Sequence, residues 1–222
     1  MLQWVKGGED MRDFPVFTTE HGVGSLILKE IPYLGRAFVK IHDVSDLKDF
    51  LDECIRFARI AGAEEIYASG HADLTKYPFH TAIIRMRVFR EGLPDTDAAL
   101  FPVTEQTCEE FRLIYNKRMG SVPNASFMTQ KDAADMLEQK EGYFIHRGET
   151  LLGIGMVSGS TIRALASCLP GVGEDVVLAL NHALTGDMAE LEVASQNQRA
   201  VSLYRRLGFV PVEEVSRWYK IF

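Results

Sequence analysis

Over the first ninety residues the apolar positions fall into short runs, then one helical stripe, then short runs again. Phe14–Thr19 and Val23–Ile31 are β-rich and flank His21-Gly22-Val23-Gly24, which predicts a hairpin turn, and Gly35–Ile41 is a third run. From Ser45 the period becomes helical. Leu47, Phe50, Leu51, Cys54, Phe57, Ala58 and Ala61 share one stripe, with Ser45 as the expected cap and Gly62 at the end. Glu65–Ser69 and Thr81–Phe89 predict strands, the second alternating Ile84, Met86 and Val88 against Arg85 and Arg87, which are expected on a solvated face. Turn residues over Glu91–Asp97 break the pattern and predict a boundary between a region 1–95 and a domain 98–222.

The second half carries denser signals. Leu100–Val103 is a short strand, and Thr107-Cys108-Glu109-Glu110 predicts a capping box opening a helix to about Met119. A loop over Ser121–Phe127 leads to a helix from Thr129 to about Gln139, then a hairpin of Tyr143–Arg147 and Thr150–Val157 across Gly148-Glu149. Thr161–Ser167 is a strand, Pro170-Gly171-Val172-Gly173 opens a helix over Glu174–Leu184, and Met188–Ala194 is another strand. Gln198–Leu207 is a helix ended by Gly208, and Phe209–Phe222 supplies one or two last strands. The order β-α-α-β-β-β-α-β-α-β describes an α/β fold of mixed layers.

Composition narrows the function classes. The 222 residues are 46% hydrophobic and 25% charged, an ordinary globular mixture, with a formal net charge of −7. That acidity disfavours nucleic acid as a partner, which needs a basic footprint, and suits a cationic or neutral substrate. Cys54, Cys108 and Cys168 are irregularly spaced without C-x-x-C, against a disulfide framework or a cysteine zinc site. Residues 1–10 lack an apolar core of signal-peptide length, and no apolar run reaches the ~18 residues of a membrane span. A soluble cytoplasmic protein without membrane partners, monomeric or homodimeric, is expected. None of the six His falls at metal-ligand spacing, and His71 and His80 bracket a loop without a suitably spaced acid, so no metal is expected.

The stretch Thr161–Phe209 holds the most chemistry. A strand runs through a glycine-bearing loop into a helix whose first N–H groups lack intrahelical partners, an arrangement that attracts phosphate. Gly171 and Gly173 let the backbone approach a pyrophosphate, although a tight turn alone also calls for them. Some 25 residues on comes Asn197-x-x-Ala200-x-x-Leu203-Tyr204-x-x-x-Gly208-Phe209. With both elements, about the last 120 residues resemble the GCN5-related N-acetyltransferase family, which moves acyl groups from acyl-CoA.

The resemblance implies acetyl-CoA, or another acyl-CoA, as co-substrate. It implies pantetheine on the backbone of Leu165, Ala166 and Ser167, and pyrophosphate on Gly171, Val172, Gly173 and Glu174. It places Asn197 near the pantetheine and makes Tyr204 the general acid for the departing thiolate, where helix packing beside Leu203 and Leu207 is the alternative. Glu192 is the best-placed candidate base, with an outward ion pair to arginine as its alternative; Glu105, Glu149 and His146 are weaker candidates. The implied activity is N-acyl transfer to a small-molecule or peptide primary amine by direct attack in a ternary complex. A catalytically weak acyl-CoA sensor with the same fold is the alternative.

Three departures from the family pattern stand out. Cys168 occupies the place of the usual Gln or Arg, the loop is short, and Glu174 and Asp175 open the helix where they repel pyrophosphate. Arg163, Arg199, Arg205 and Arg206 are the compensating cations. Tyr115, Phe127 and Met128 are expected near a substrate mouth or in the core. The region 1–95 lacks both signatures, yet its order echoes the final half of the family fold, either as a degenerate half copy or as an unrelated α+β cap.

Overall fold

A computed structural model describes residues 2–3 and 16–222. The expected start of the first run at Phe14 and the reading of residues 1–10 concern positions that lie, apart from Leu2 and Gln3, outside the described residues. The chain divides into two compact units, one of residues up to Ala82 together with Ser216–Phe222, the other Ile83–Val215. This division differs from the expected boundary near residues 95–98. Sequence-local turn residues mark where the chain bends, whereas membership of a unit follows from strand pairing.

In the first unit the strands β1 (Leu2–Gln3), β2 (Val16–Thr18), β3 (Gly22–Ile27) and β4 (Arg36–Val44) pair antiparallel in sequence order. A single-turn helix α1 (Ile31–Leu34) joins β3 to β4. The helix α2 (Leu47–Ile60) crosses to β5 (Glu65–Ser69), which lies parallel to β4 through five residue pairs. Phe50, Leu51, Cys54 and Ala58 of α2 are buried against Leu26, Val39, Ile41 and Ile66, as the stripe predicts. The cap is Asp46 rather than Ser45. Its carboxylate accepts from the Asp49 N–H at 3.1 Å, while the Ser45 hydroxyl donates to the His21 carbonyl at 3.0 Å. The strand β6 (Phe79–Phe89) then leads out of the unit.

The second unit receives β6 and continues through β7 (Ala99–Pro102), α3 (Cys108–Met119), α4 (Gln130–Glu138), β8 (Gly142–Arg147), β9 (Thr150–Ser158) and β10 (Thr161–Ser167). It closes with α5 (Gly173–Asn181), β11 (Met188–Ala194), α6 (Gln198–Arg206) and β12 (Val210–Lys220). One strand, not two, follows α6, and its last residues return to the first unit, where Tyr219 and Lys220 pair with Ala68 and Tyr67 of β5. Each unit therefore contains a strand from the other half of the sequence. The expected capping box at Thr107 does not form, because its hydroxyl accepts from the Thr104 N–H at 3.0 Å; Thr129 and Asp132 make a reciprocal box at α4 instead.

The sheet of the second unit separates two cores. Phe111, Tyr115, Met128 and Met136, from α3, α4 and their connection, pack with Phe144, Ile154 and Ala166. On the other face α5 and α6 pack with Met86, Ile145, Leu152, Ile162, Leu191 and Val193. Two glycines of β9 set how closely α5 seats. A Cβ on Gly155 would lie 2.4 Å from Leu180, and one on Gly153 would lie 2.7 Å from Val176 and 2.6 Å from the Ala166 carbonyl.

Candidate functional site

The site is built where β10 leaves β11. The two strands are parallel but pair only at Thr161–Glu190 and Ile162–Leu191, with the Glu190 N–H donating to the Ser160 carbonyl at 2.9 Å. A register shift between Ile162 and Ala164 marks a bulge at Arg163, and β10 then continues on β9 alone. The Cys168 N–H donates to the Leu152 carbonyl at 2.7 Å, so alternate residues back from Cys168 face β9. Strand alternation turns the N–H and C=O groups of Leu165 and Ser167 to the opposite edge, toward the gap. By the same parity from Glu190, the backbone of Glu192 and Ala194 faces the gap from β11. Among the described residues the β10 side of the opening offers the unpaired peptide groups of Leu165 and Ser167, while on the β11 side the Ala194 carbonyl accepts from the Asn197 N–H at 2.9 Å; an extended amide-bearing chain satisfies the open β10 edge. Ala166, expected to pair there, directs its peptide groups to β9 instead.

At the end of β10 the chain turns through Cys168–Val172 into α5. Gly171 has φ +82°, a left-handed conformation that disfavours a side chain. Val172 gives α5 no side-chain cap, so the helix presents bare N–H groups at its start. Ser167, Gly173 and Leu203 converge there, since a Cβ on Gly173 would lie 3.0 Å from Leu203 Cδ2 and 3.4 Å from Ser167 Oγ. Of the two acidic residues expected to repel an anion, Asp175 is neutralised. Arg147 donates to its carboxylate at 2.8 Å and to Asp97 at 2.7 Å, and Thr96 reaches it at 3.4 Å. Glu174 is exposed.

Arg118 of α3 donates to the Cys168 carbonyl at 2.6 Å and ties the turn down, a contact no spacing in the sequence signals. Burial pushes the Cys168 thiol above its ordinary value, against the opposing pull of Arg118, so the thiolate is not favoured. Arg163, expected to compensate charge, is committed to Glu141 at 3.0 Å, whose residue is only 7% exposed.

Tyr204 faces the α5–α6 core, 6% exposed, with its ring 5.8 Å from that of Phe209. Burial alone raises its hydroxyl well above the usual phenol range and keeps it protonated. Asn197 caps α6, its side-chain oxygen accepting from the Ala200 N–H at 3.3 Å. The Glu192 carboxylate is exposed and takes a 2.9 Å bond from Arg85, which also holds Glu213 at 2.6 Å and approaches Glu190 at 3.3 Å. Arg87 pairs with Glu190 at 2.7 Å, so the pair expected on a solvated face is an ion-pair network across three strands. His146 lies 5.3 Å from the Phe101 ring. Glu105 lines an open groove with Val103, Leu137 and Tyr143 beside β7, three strands from β10, and Glu149 is exposed in the β8–β9 turn. Tyr115 and Met128 are buried and Phe127 is half-buried.

Among the described residues no group of His, Cys, Asp or Glu is arranged to hold a metal, and no helix is long and apolar enough to cross a membrane. Neither a family model nor a curated protein matches the sequence. Solved structures do. A conserved protein of unknown function from Staphylococcus epidermidis aligns over 92% of this chain and 91% of its own, at 10% identity and TM-score 0.57. A GCN5-related N-acetyltransferase from Kribbella flavida aligns over 92% and 88%, at 13% identity and TM-score 0.53. Another from Anabaena variabilis aligns over 93% and 62%, at 10% identity and TM-score 0.56. The chain is similar to them in fold: it has the mixed α/β fold of GCN5-related N-acetyltransferases.

Proposed function

We propose that the second unit transfers an acyl group, acetyl foremost, from acyl-CoA to a primary amine. The observation that carries this reading is the gap between β10 and β11, with Leu165 and Ser167 unpaired along it and the uncapped start of α5 at its end. The residues fit such a donor. Leu165 and Ser167 would pair with the two amides of a pantetheine arm, and the N–H groups from Gly173 onward would receive the pyrophosphate. The low identity of the similar structures leaves the acceptor to be defined by chemistry, and an acidic chain suits a cationic amine, small or peptidic.

The donor supplies a thioester carbonyl already activated toward amines. An N–H of the β10 edge stabilises the oxyanion as the amine nitrogen bonds to the acyl carbon and the carbon–sulfur bond breaks. One proton leaves the nitrogen for solvent. The resemblance gives the departing sulfur to Tyr204, whose hydroxyl would reach it from the α5–α6 core. A thiol ionises near ~8.5 and an ordinary phenol near ~10, and burial raises Tyr204 further. It therefore acts mainly by donating a hydrogen bond to the developing thiolate, with full proton transfer completed from water. No carboxylate in this scheme takes a proton from the amine, since Glu192 is held by Arg85. The cationic amine drawn in by the chain's charge first releases a proton to solvent, and its neutral nitrogen is the nucleophile.

That commitment of Glu192 favours a second reading, an acyl-CoA sensor that binds without turnover. Titration calorimetry with acetyl-CoA and a thiol-release assay over an amine panel separate the two. Binding with amine-dependent thiol release is the expected result. Binding without release for any amine favours the sensor, and no binding overturns both.

A further inference from the structure

The sequence His21-Gly22-Val23-Gly24, expected as a turn, lies mostly within β3 of the first unit. Its glycines bring β3 close to β4: a Cβ on Gly22 would lie 2.8 Å from the Asp43 carbonyl, and one on Gly24 2.8 Å from that of Lys40. Between them the register shifts. Val23 pairs with Asp43 and Gly24 with Ile41, so His42 is an extra residue with no partner opposite. A bulge of this kind re-aims the side chain it carries. The exposed His42 ring meets Ser25, the residue after Gly24, with Nε2 2.8 Å from Oγ.

Strand alternation fixes what else shares that face. Gly22 and Gly24 turn toward Phe50 of α2, so Val23, Ser25 and Ile27 turn away from the helix. Ser25 stands directly opposite Lys40, and Lys40 opposite Ser69, in one row across β3, β4 and β5. Lys40 is exposed and forms no ion pair among the described residues. An ammonium in that place answers the negative charge that develops when a hydroxyl adds to a carbonyl. Val23 and Ile27, both half-buried, border Ser25 along β3 with apolar surface. In the tautomer with its proton on Nδ1, the ring accepts from the Ser25 hydroxyl at Nε2. That is how a serine nucleophile meets its base.

We propose that Ser25 and His42 form a second reactive site, a nucleophile with its general base, that hydrolyses small carboxylic esters with an apolar acyl group. The Ser25 Oγ bonds to the ester carbonyl carbon as its proton passes to His42 Nε2. The carbon–oxygen bond to the alcohol breaks, and the alcohol oxygen takes that proton. Water then adds to the acyl carbon and gives a proton to His42. The bond from Oγ to carbon breaks, the proton returns to Ser25, and the carboxylic acid leaves. This chemistry uses no acyl-CoA and stands apart from the β10–β11 gap.

The test treats the full chain with a fluorophosphonate, which loses fluoride to an activated serine, and locates the adduct by peptide mass spectrometry. One phosphonyl group on Ser25 is expected. None is expected on Ser69, which faces Lys40 from the other side but has no histidine bonded to it among the described residues. Hydrolysis of p-nitrophenyl acetate gives the rate. Ser25→Ala should abolish the adduct and the Ser25-dependent hydrolysis. His42→Gln, with its fold checked by circular dichroism, should slow labelling and hydrolysis by about 10²–10⁴-fold. Lys40→Gln should slow hydrolysis with the adduct still on Ser25. An unlabelled Ser25 in the unaltered chain, or an adduct on Ser69 in its place, overturns the site without recourse to any variant. Labelling that His42→Gln leaves at full rate, or hydrolysis that Ser25→Ala leaves unchanged, overturns it as well.

Discussion

The two units use the same wiring around a parallel strand pair and differ in whether that pair stays closed. In the first, β3 and β4 form an antiparallel pair, α2 crosses over, and β5 returns parallel to β4 through five residue pairs. In the second, β9 and β10 pair, α5 crosses over, and β11 returns parallel to β10 through two pairs before parting. Even the seating of the helix is shared. Gly22 and Gly24 of β3 lie under Phe50 of α2, as Gly153 and Gly155 of β9 lie under Val176 and Leu180 of α5. The helix starts differ as the strands do: Asp46 caps α2 with its own carboxylate, whereas α5 has no side-chain cap. The same β-α-β frame thus has its ladder and helix cap satisfied from within in the first unit and left open in the second. Such a correspondence is what the half-copy alternative for the region 1–95 calls for, where an unrelated cap does not require it.

The comparison can be broken most forcefully by cutting the chain at its sequence-predicted boundary. A fragment of residues 98–222 lacks β6, which pairs with β11 through seven residues and buries Met86 to 1% exposure. It should show no cooperative urea transition, and a fragment beginning at Ile83 should regain one; cooperative unfolding of 98–222 would refute the strand exchange.

At the site itself, Tyr204→Phe should lower kcat more than tenfold with acetyl-CoA affinity little changed, measured by thiol release and calorimetry. Gly153→Val would press on the Ala166 carbonyl and Val176, costing about 2 kcal/mol and lowering Tm by roughly 4–8 °C. The corresponding uncapping in the first unit, Asp46→Ala, should cost about 1 kcal/mol. It should leave the acetyl-CoA stoichiometry at one per chain, because the β4–β5 ladder stays shut.

The smallest effect concerns pH. Burial and the hydrogen bond to Glu65 raise Tyr67 to about 12. The unfolded chain would release this proton near ~10 while the folded chain retains it, so the contribution is whole below pH ~10 and lost as pH rises toward 12. Tyr67→Phe should flatten the decline of stability in that interval in pH-dependent urea titrations.

What the sequence disclosed follows from the range of the forces involved. Local periodicity gives α2 its stripe and the bounds of Glu65–Ser69, Thr161–Ser167 and Met188–Ala194 without change. Adjacent residues of similar chemistry mislead at close range: Ser45 and Asp46 both suit a cap, and the Ser45 hydroxyl is taken by the distant His21 carbonyl while Asp46 meets the Asp49 N–H. Pairing between distant residues leaves no periodic trace. Arg85 meets Glu192 from 107 residues away, and this contact settles how Glu192 is held. The gap between β10 and β11 is equally silent, since a strand reads alike whether one edge or both are paired.

Amide hydrogen exchange tests that gap most directly, followed residue by residue with and without acetyl-CoA. The amides of Leu165 and Ser167 should exchange rapidly in the free protein and become protected on binding. Those of Glu65–Ser69 in the closed ladder should be protected throughout. Slow exchange at Leu165 and Ser167 before acetyl-CoA is added, or protection gained on β4 and β5 instead, would contradict the account.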